Sequence, residues 1–316
     1  MRFLVVGAGS TGGYLGVRLH EIGREVHFLV RPTRAGQLRQ RGLRVVSPHG
    51  DSVIEPKLVQ RDTLSGAFDA ILLAVKGYQL EGALEDMAPA VGFDTMILPV
   101  LNGMGHLERI AARFGADRIV GCTLKVATTL NDDGDIVQLN SLQEMAFGEL
   151  DGSDSARTRT LQDFLRGSTI VTRLTPDIRS EMWEKWVLLA SLGGITCLMR
   201  GPIGEVAACS GGKEFAMGLL AEVAAVVRAV GDAPSPAFLQ STRELLSAEG
   251  SPLTSSMYRD LQQGRPVEVE NILGDLYRHA LRTGIATPLL RAAYVHLRRY
   301  QNTLESRTRT HMEDAR

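Results

Sequence analysis

The chain has 316 residues, 35 basic and 36 acidic side chains, and a formal net charge of −1 at pH 7. This length predicts two domains, each large enough to bury a core, and 44% hydrophobic with 22% charged residues excludes a disordered or fibrous chain. The balanced charge gives no electrostatic basis for binding nucleic acid or an anionic membrane, and no run reaches the ~18 apolar residues that span a bilayer.

Residues 2–6 read as a short buried strand that breaks into the glycine loop Gly7-Ala8-Gly9-Ser10-Thr11-Gly12-Gly13. A helical stretch from Tyr14 to Glu21 ends at Gly23, and Val26 to Val30 forms a second strand. Strand, glycine turn, helix and strand within about 30 residues make a βαβ unit. Ala70 to Val75 and Met96 to Leu101 predict further strands, each bounded by turn or helix signals. Ile119 to Leu130 and Ile136 to Phe147 flank the turn Asn131-Asp132-Asp133-Gly134 and predict an antiparallel hairpin. Strand signals end near Thr175. Helical periods then run to about Tyr300, broken at Gly201-Pro202, Pro234-Ser235-Pro236, Gly250-Ser251-Pro252 and Gly264-Arg265-Pro266. The fold class is therefore α/β: a parallel sheet with an antiparallel addition over residues 1–174, then an all-helical domain over 175–316. Thr175-Pro176-Asp177 reads as an N-cap with proline at the first helical position.

The glycine loop carries the first chemistry. Gly7 permits a tight turn, Gly9 lets a pyrophosphate approach the backbone, and Gly12 lets the helix and strand pack closely. The helix N-terminus at Ser10 and Thr11 offers N–H groups and partial positive charge to phosphates. Gly7, Gly9, Ser10, Thr11 and Gly12 are thus the candidate cofactor-binding residues of a dinucleotide site. A cofactor with a free ribose 2′-hydroxyl calls for an acid at the end of the second strand. That position instead reads Val30-Arg31-Pro32-Thr33-Arg34. Arg31 and Arg34 suit a 2′-phosphate through charge-assisted hydrogen bonds, so NADP(H) is the expected cofactor.

Lys76 and Asn102 directly follow the strands predicted over 70–75 and 96–101, which brings both to the sheet edge where ligands bind in doubly wound folds. Each alone is matched by a solvated lysine or an Asn-Gly turn. Only five of the basic residues are lysines: Lys57, Lys76, Lys125, Lys185 and Lys213. Lys185 falls within the apolar stripe Ile178, Met182, Trp186 and Leu189, where an ammonium must snorkel, pair or face a polar cleft. Desolvation there favours a proton donor. Glu268 and Glu270 lie on opposite flanks of a helix predicted to begin near Pro266, and periodicity does not choose between them. The three scattered cysteines and seven histidines support neither disulfides nor a metal site. No signal-type N-terminus is present, so a cytoplasmic protein is expected.

In order and spacing, these pieces resemble the ketopantoate reductase (2-dehydropantoate 2-reductase) family over nearly the whole chain. The matching pieces are GAGSTGG, AVK with Lys76, LNGMG with Asn102, and Trp183-Glu184-Lys185. To these add Gly201-Pro202-Ile203-Gly204-Glu205 and Ser255-Ser256-Met257-Tyr258-Arg259-Asp260, which runs on to Glu268, Asn271 and Gly274. The resemblance implies a Rossmann-type domain joined to an all-helical substrate domain, with substrate between them and NADPH as hydride donor to a 2-oxo acid. By the same resemblance Lys185 is the general acid, and Glu268 orients it and binds a substrate hydroxyl. Ser256 meets the substrate carboxylate, while Asn102 and Lys76 border nicotinamide and substrate.

The default reaction is then ketopantoate to pantoate, a step of pantothenate biosynthesis. The partner is a small 2-oxo acid, with neither nucleic acid nor membrane, and a homodimer is left open. Four positions depart from the family pattern: Leu189, Gly193, Ile203 and Leu253 stand where relatives carry asparagines. That leaves a drier pocket. Two other readings stay open: a related dehydrogenase of another 2-oxo or 3-hydroxy acid, and a non-catalytic NADP(H)-binding sensor.

Overall fold

The computed structural model describes residues 1–314, with side chains through Arg307. In chain order the first part runs β1 (Phe3–Val6), α1 (Ser10–Glu21), β2 (Val26–Leu29), α2 (Pro32–Arg41), β3 (Leu43–Val46), β4 (Ser52–Ile54), β5 (Lys57–Val59) and β6 (Ala70–Leu73). It continues with α3 (Leu80–Met87), β7 (Met96–Pro99), α4 (Gly105–Phe114), β8 (Gly121–Leu130), β9 (Ile136–Gly148), α5 (Ala156–Leu165) and β10 (Val171–Leu174). The rest is helical: α6 (Ile178–Met199), α7 (Ile203–Ala208), α8 (Gly212–Val230), α9 (Pro236–Leu246), α10 (Ser256–Gln262), α11 (Asp275–Thr283) and α12 (Pro288–Asp314).

Two compact units result. One holds Met1–Leu101 and His106–Arg179, and the other holds Asn102–Gly105 and the chain from Ser180 onward. The first contains a five-stranded parallel sheet in the order β5-β2-β1-β6-β7. The order reverses at β1, so the loops after β1 and β6 flank a topological switch point. All four residues of β1 are buried, as strands covered on both faces require. Phe3 and Val5 enter one apolar cluster, and Leu4 and Val6 enter another on the opposite face.

The hairpin predicted around residues 131–134 is present as β8 and β9. It belongs to a second, mixed sheet in the order β10-β9-β3-β4, with β8 on β9. The short strands β3, β4, β5 and β10 carry little sequence signal; β4 pairs with the adjacent β3, while β3, β5 and β10 pair with strands farther along the chain. Thr175 does not cap α6 directly. Its hydroxyl accepts from the Asp177 N–H at 3.1 Å, and the helix starts at Ile178. The Thr175 N–H donates to Phe147 O at 2.9 Å, which ties residues 175–178 to β9 and moves the unit boundary past Arg179.

The helix predicted from Pro266 also starts late. Residues 265–268 are irregular, Val269 is the N-cap, and a π-helical turn spans Glu270–Gly274 ahead of α11. In the second unit α6 is buried almost all round over residues 190–197, as a central helix must be. No helix among the described residues is long and apolar enough to cross a membrane.

One packing constraint is directly testable. A Cβ on Gly16 of α1 would lie 2.4 Å from the Phe28 ring of β2, so α1 and β2 meet at backbone distance. Gly16→Ala is expected to lower unfolding free energy by about 1–3 kcal/mol through overpacking, read from denaturant titration.

Candidate functional site

In the first unit the glycine loop sits at the switch point. A Cβ on Gly12 would lie 2.3 Å from Gly7 O and 2.8 Å from Ala74 Cβ, so only glycine allows α1 to start this close to β1 and β6. Gly9 is different. It is the N-cap of α1, and a Cβ there would meet no protein atom within 4 Å. The fold itself has no steric need for glycine at position 9. The first turn of α1 contains no acid and its cap makes no side-chain hydrogen bond, so the N–H groups at Ser10, Thr11 and Gly12 lack the usual capping acceptor.

Lys76 lies beyond β6, at the N-cap of a single 3₁₀ turn over Gly77–Gln79. The Ala74 N–H donates to Val6 O at 3.0 Å, which extends the β1–β6 pairing to the mouth of the glycine loop. The structure separates the two arginines. Arg34 is half-buried, and its guanidinium donates to Ala8 O at 3.2 Å, Gly134 O at 3.1 Å and Gln37 Oε1 at 3.2 Å. Two of these bonds join the glycine loop to the β8–β9 turn. Burial lowers its pKa only from a very high value, so it stays cationic. Arg31 is exposed at the N-cap of α2 and remains accessible to a phosphate.

In the second unit three segments converge. The Asn102 amide donates from Nδ2 to Glu268 Oε2 at 3.3 Å, and Glu268 is only 5% exposed. Gly103 follows with φ +83°, and a Cβ there would lie 2.3 Å from Asn271 O, so the Asn-Gly turn presses on the backbone of the π turn. Trp186, one residue after Lys185, donates its indole N–H to Ile272 O at 2.9 Å. The Ile272 N–H in turn donates to Glu268 O at 3.1 Å. One peptide segment therefore links the Lys185 turn of α6 to Glu268. Lys185 itself is half-buried.

The two glutamates left open by periodicity are now distinct. Glu270 is at the surface. It pairs with Arg278 at 2.7 Å and Arg298 at 3.6 Å, and it accepts from the Tyr294 hydroxyl at 3.0 Å. Burial, then the bond to Glu270, holds the Tyr294 phenol above its usual range. Glu268 lies inside with Asn102. A π turn is often found at functional sites, and here it separates the inward carboxylate from the outward one.

Ser256 is the first residue of α10. The preceding Ser255 is its N-cap, buried and accepting from the Tyr258 N–H at 2.9 Å. Ser255 Oγ also lies 2.9 Å from Thr196 Oγ1, so Ser255 is taken up by the protein, while Ser256 is half-buried. Cys197 is buried, and burial pushes its thiol up to about 12, which makes it no nucleophile near neutral pH. No group of three or more His, Cys, Asp or Glu gathers for a metal among the described residues.

Sequence reasoning missed Trp186 as a positioning residue and Asn271 as the backbone under Gly103. The signal for the first was present: a tryptophan beside a lysine in an apolar stripe needs a partner for its N–H.

A family model described as Ketopantoate reductase PanE/ApbA matches residues 3–152, and Ketopantoate reductase PanE/ApbA C terminal matches residues 177–301. The uncharacterized oxidoreductase YkpB of Bacillus subtilis (strain 168) is 33% identical over 301 residues, which is 95% of this chain and 99% of the relative. A crystal structure of 2-dehydropantoate 2-reductase from Geobacter metallireducens GS-15 matches with a TM-score of 0.85 at 28% identity, over 95% of this chain and 99% of that one. The ternary structure of D-mandelate dehydrogenase with NADH and anilino(oxo)acetate shares the fold, with a TM-score of 0.86 at 22% identity over 96% and 99% of the two chains.

Trp186→Phe keeps the ring but leaves the buried Ile272 carbonyl without its donor. A loss of about 1–3 kcal/mol in unfolding free energy is expected, measured by denaturant titration.

Proposed function

The chain belongs to the ketopantoate reductase family, a family of oxidoreductases, and from that premise we propose that it reduces the ketone of a 2-oxo acid to a 2-hydroxy acid with NADPH. The reference member of that substrate class is 2-dehydropantoate, the compound named in relatives of the family, which gives pantoate. The observation that carries the reading is the part-buried Asn102–Glu268 hydrogen bond, tied through Ile272 to the turn of α6 that bears Lys185.

The chain's residues fit a dinucleotide. Gly12 is required by packing, whereas a bare Gly9 leaves the backbone at the head of α1 open to a pyrophosphate. Arg31 supplies permanent charge where a ribose 2′-phosphate would lie, and no acid stands at the end of β2 to prefer a hydroxyl. Lys76 would border the nicotinamide. When bound, NADPH supplies the hydride.

The remaining work falls to side chains of this chain. As the carbonyl gains electrons its oxygen becomes basic, and Lys185 Nζ donates a hydrogen bond and then a proton to it. Glu268 orients the ammonium, and Asn102 holds Glu268 by donating to one carboxylate oxygen. The Ser256 hydroxyl donates to the substrate carboxylate at the start of α10, where the helix N-terminus favours negative charge.

Lys185→Ala is expected to lower kcat for NADPH oxidation about 10²–10⁴-fold while NADPH binding, followed by cofactor fluorescence, is retained. Wild-type turnover in this variant would overturn the assignment. Gly9→Ala is expected to leave the thermal midpoint unchanged, because its Cβ touches no protein atom, but to weaken NADPH binding. A variant that binds NADPH as tightly as wild type would remove Gly9 from the cofactor site. Arg31→Ala should narrow the preference for NADPH over NADH, which a comparison of the two dissociation constants checks.

A further inference from the structure

The accessible strip of α6 is Glu181, Glu184, Lys185, Leu188 and Leu189, each half-buried in a helix otherwise buried from Trp186 to Cys197. Spacings of three and four residues put these side chains on one face. Glu184 is already engaged, accepting from the Ser235 N–H at 2.9 Å and the Ser235 hydroxyl at 2.7 Å. Beyond Lys185 the strip is apolar. Leu189 lies one turn on, about 6 Å along the axis. At the next turn Gly193 has no side chain to offer, and a Cβ there would lie 2.8 Å from Met257 Cε, so the Met257 side chain caps that turn.

Two hydroxyls of this region are spent on the protein, and the unpaired Ser191 Oγ is fully buried two residues past Leu189, on the far side of α6 from it. Thr196 is fully buried and donates to Leu192 O at 2.7 Å, and Ser255 is taken by Thr196 and the Tyr258 N–H. Leu253 and Ile203 lie across a backbone bond, Ile203 N–H to Leu253 O at 3.0 Å, and the Ile203 side chain is fully buried. The wall running from Lys185 toward α10 thus presents the half-buried Leu189, backed at Gly193 by the buried Met257, and neither side chain carries a hydrogen-bonding group.

We infer that the substrate is a 2-oxo acid with an apolar side chain, selected by Leu189 with Met257 behind Gly193, and that ketopantoate with its terminal hydroxyl is a poor member of the class. This inference rests on the 2-oxo acid reductase reading above. A hydroxyl buried against this wall exchanges water for methyl groups, which an apolar site penalises. The Lys185 ammonium and the Ser256 hydroxyl are common to all 2-oxo acids and do not discriminate among side chains.

The test compares two compounds of nearly equal shape. Ketopantoate and 3,3-dimethyl-2-oxobutanoate differ only in that the latter lacks the 4-hydroxyl. With the full-length protein and NADPH, kcat/KM is expected to be about 10- to 100-fold higher for the deoxy compound. Leu189→Asn should shrink or invert that ratio. Leu189→Ala, which stays apolar, should preserve it, so a general defect in the Asn variant is distinguishable from a lost preference. Equal rates, or a preference for ketopantoate, would overturn the apolar class and leave the reductase reading intact. No NADPH oxidation with either compound, nor with 4-methyl-2-oxopentanoate or phenylglyoxylate, would overturn the reductase reading and this inference with it.

Discussion

A single buried hydrogen bond, from the Trp186 indole to the Ile272 carbonyl, organises the polar centre of the helical unit. It fixes α6 in rotation, and with it the direction of Lys185 on the preceding residue. It also fixes the π turn, whose Ile272 N–H reaches back to Glu268. A carbonyl inside a regular α-helix is normally occupied by the N–H four residues on. In a π turn that register is displaced, and side chains gain access to backbone groups that an α-helix would enclose. The irregularity at Glu270–Gly274 is thus a working part of the arrangement.

The same unit shows how a carboxylate is kept inside. Glu268 accepts a hydrogen bond from the neutral amide of Asn102. Two residues away, Glu270 takes the opposite role at the surface, surrounded by Arg278, Arg298 and Tyr294. The arginines of this neighbourhood thus lie against the outer carboxylate.

In the sheet-containing unit the constraint is steric. Gly12 and Gly16 are demanded by the approach of α1 to its strands, while Gly9 is not demanded by the fold. At position 9, at the head of α1 and beside the switch point, packing therefore does not set the residue type. The arginines show the reverse lesson. Arg34 seemed as suitable as Arg31 for a phosphate, yet its half-buried guanidinium joins the glycine loop to the hairpin turn.

Much of this was legible in the residues themselves. Local patterns carry the βαβ start, the 131–134 hairpin and the helical second half, because hydrophobic period and turn chemistry act over a few residues. The candidates Lys76, Asn102, Lys185, Glu268 and Ser256 were also named from sequence. The short strands β3, β4, β5 and β10 escaped, since three or four residues hold no period and gain stability only from the strands they pair with. The choice between Glu268 and Glu270 escaped too, because it depends on a π turn that shifts the register by one residue. Sequence alone determined which chemical groups the chain carries and on which type of element each lies, for these follow from local covalent pattern. Only tertiary structure decided which of them are spent on the protein, as Arg34, Glu270 and Ser255 are. That depends on partners brought together from far along the chain.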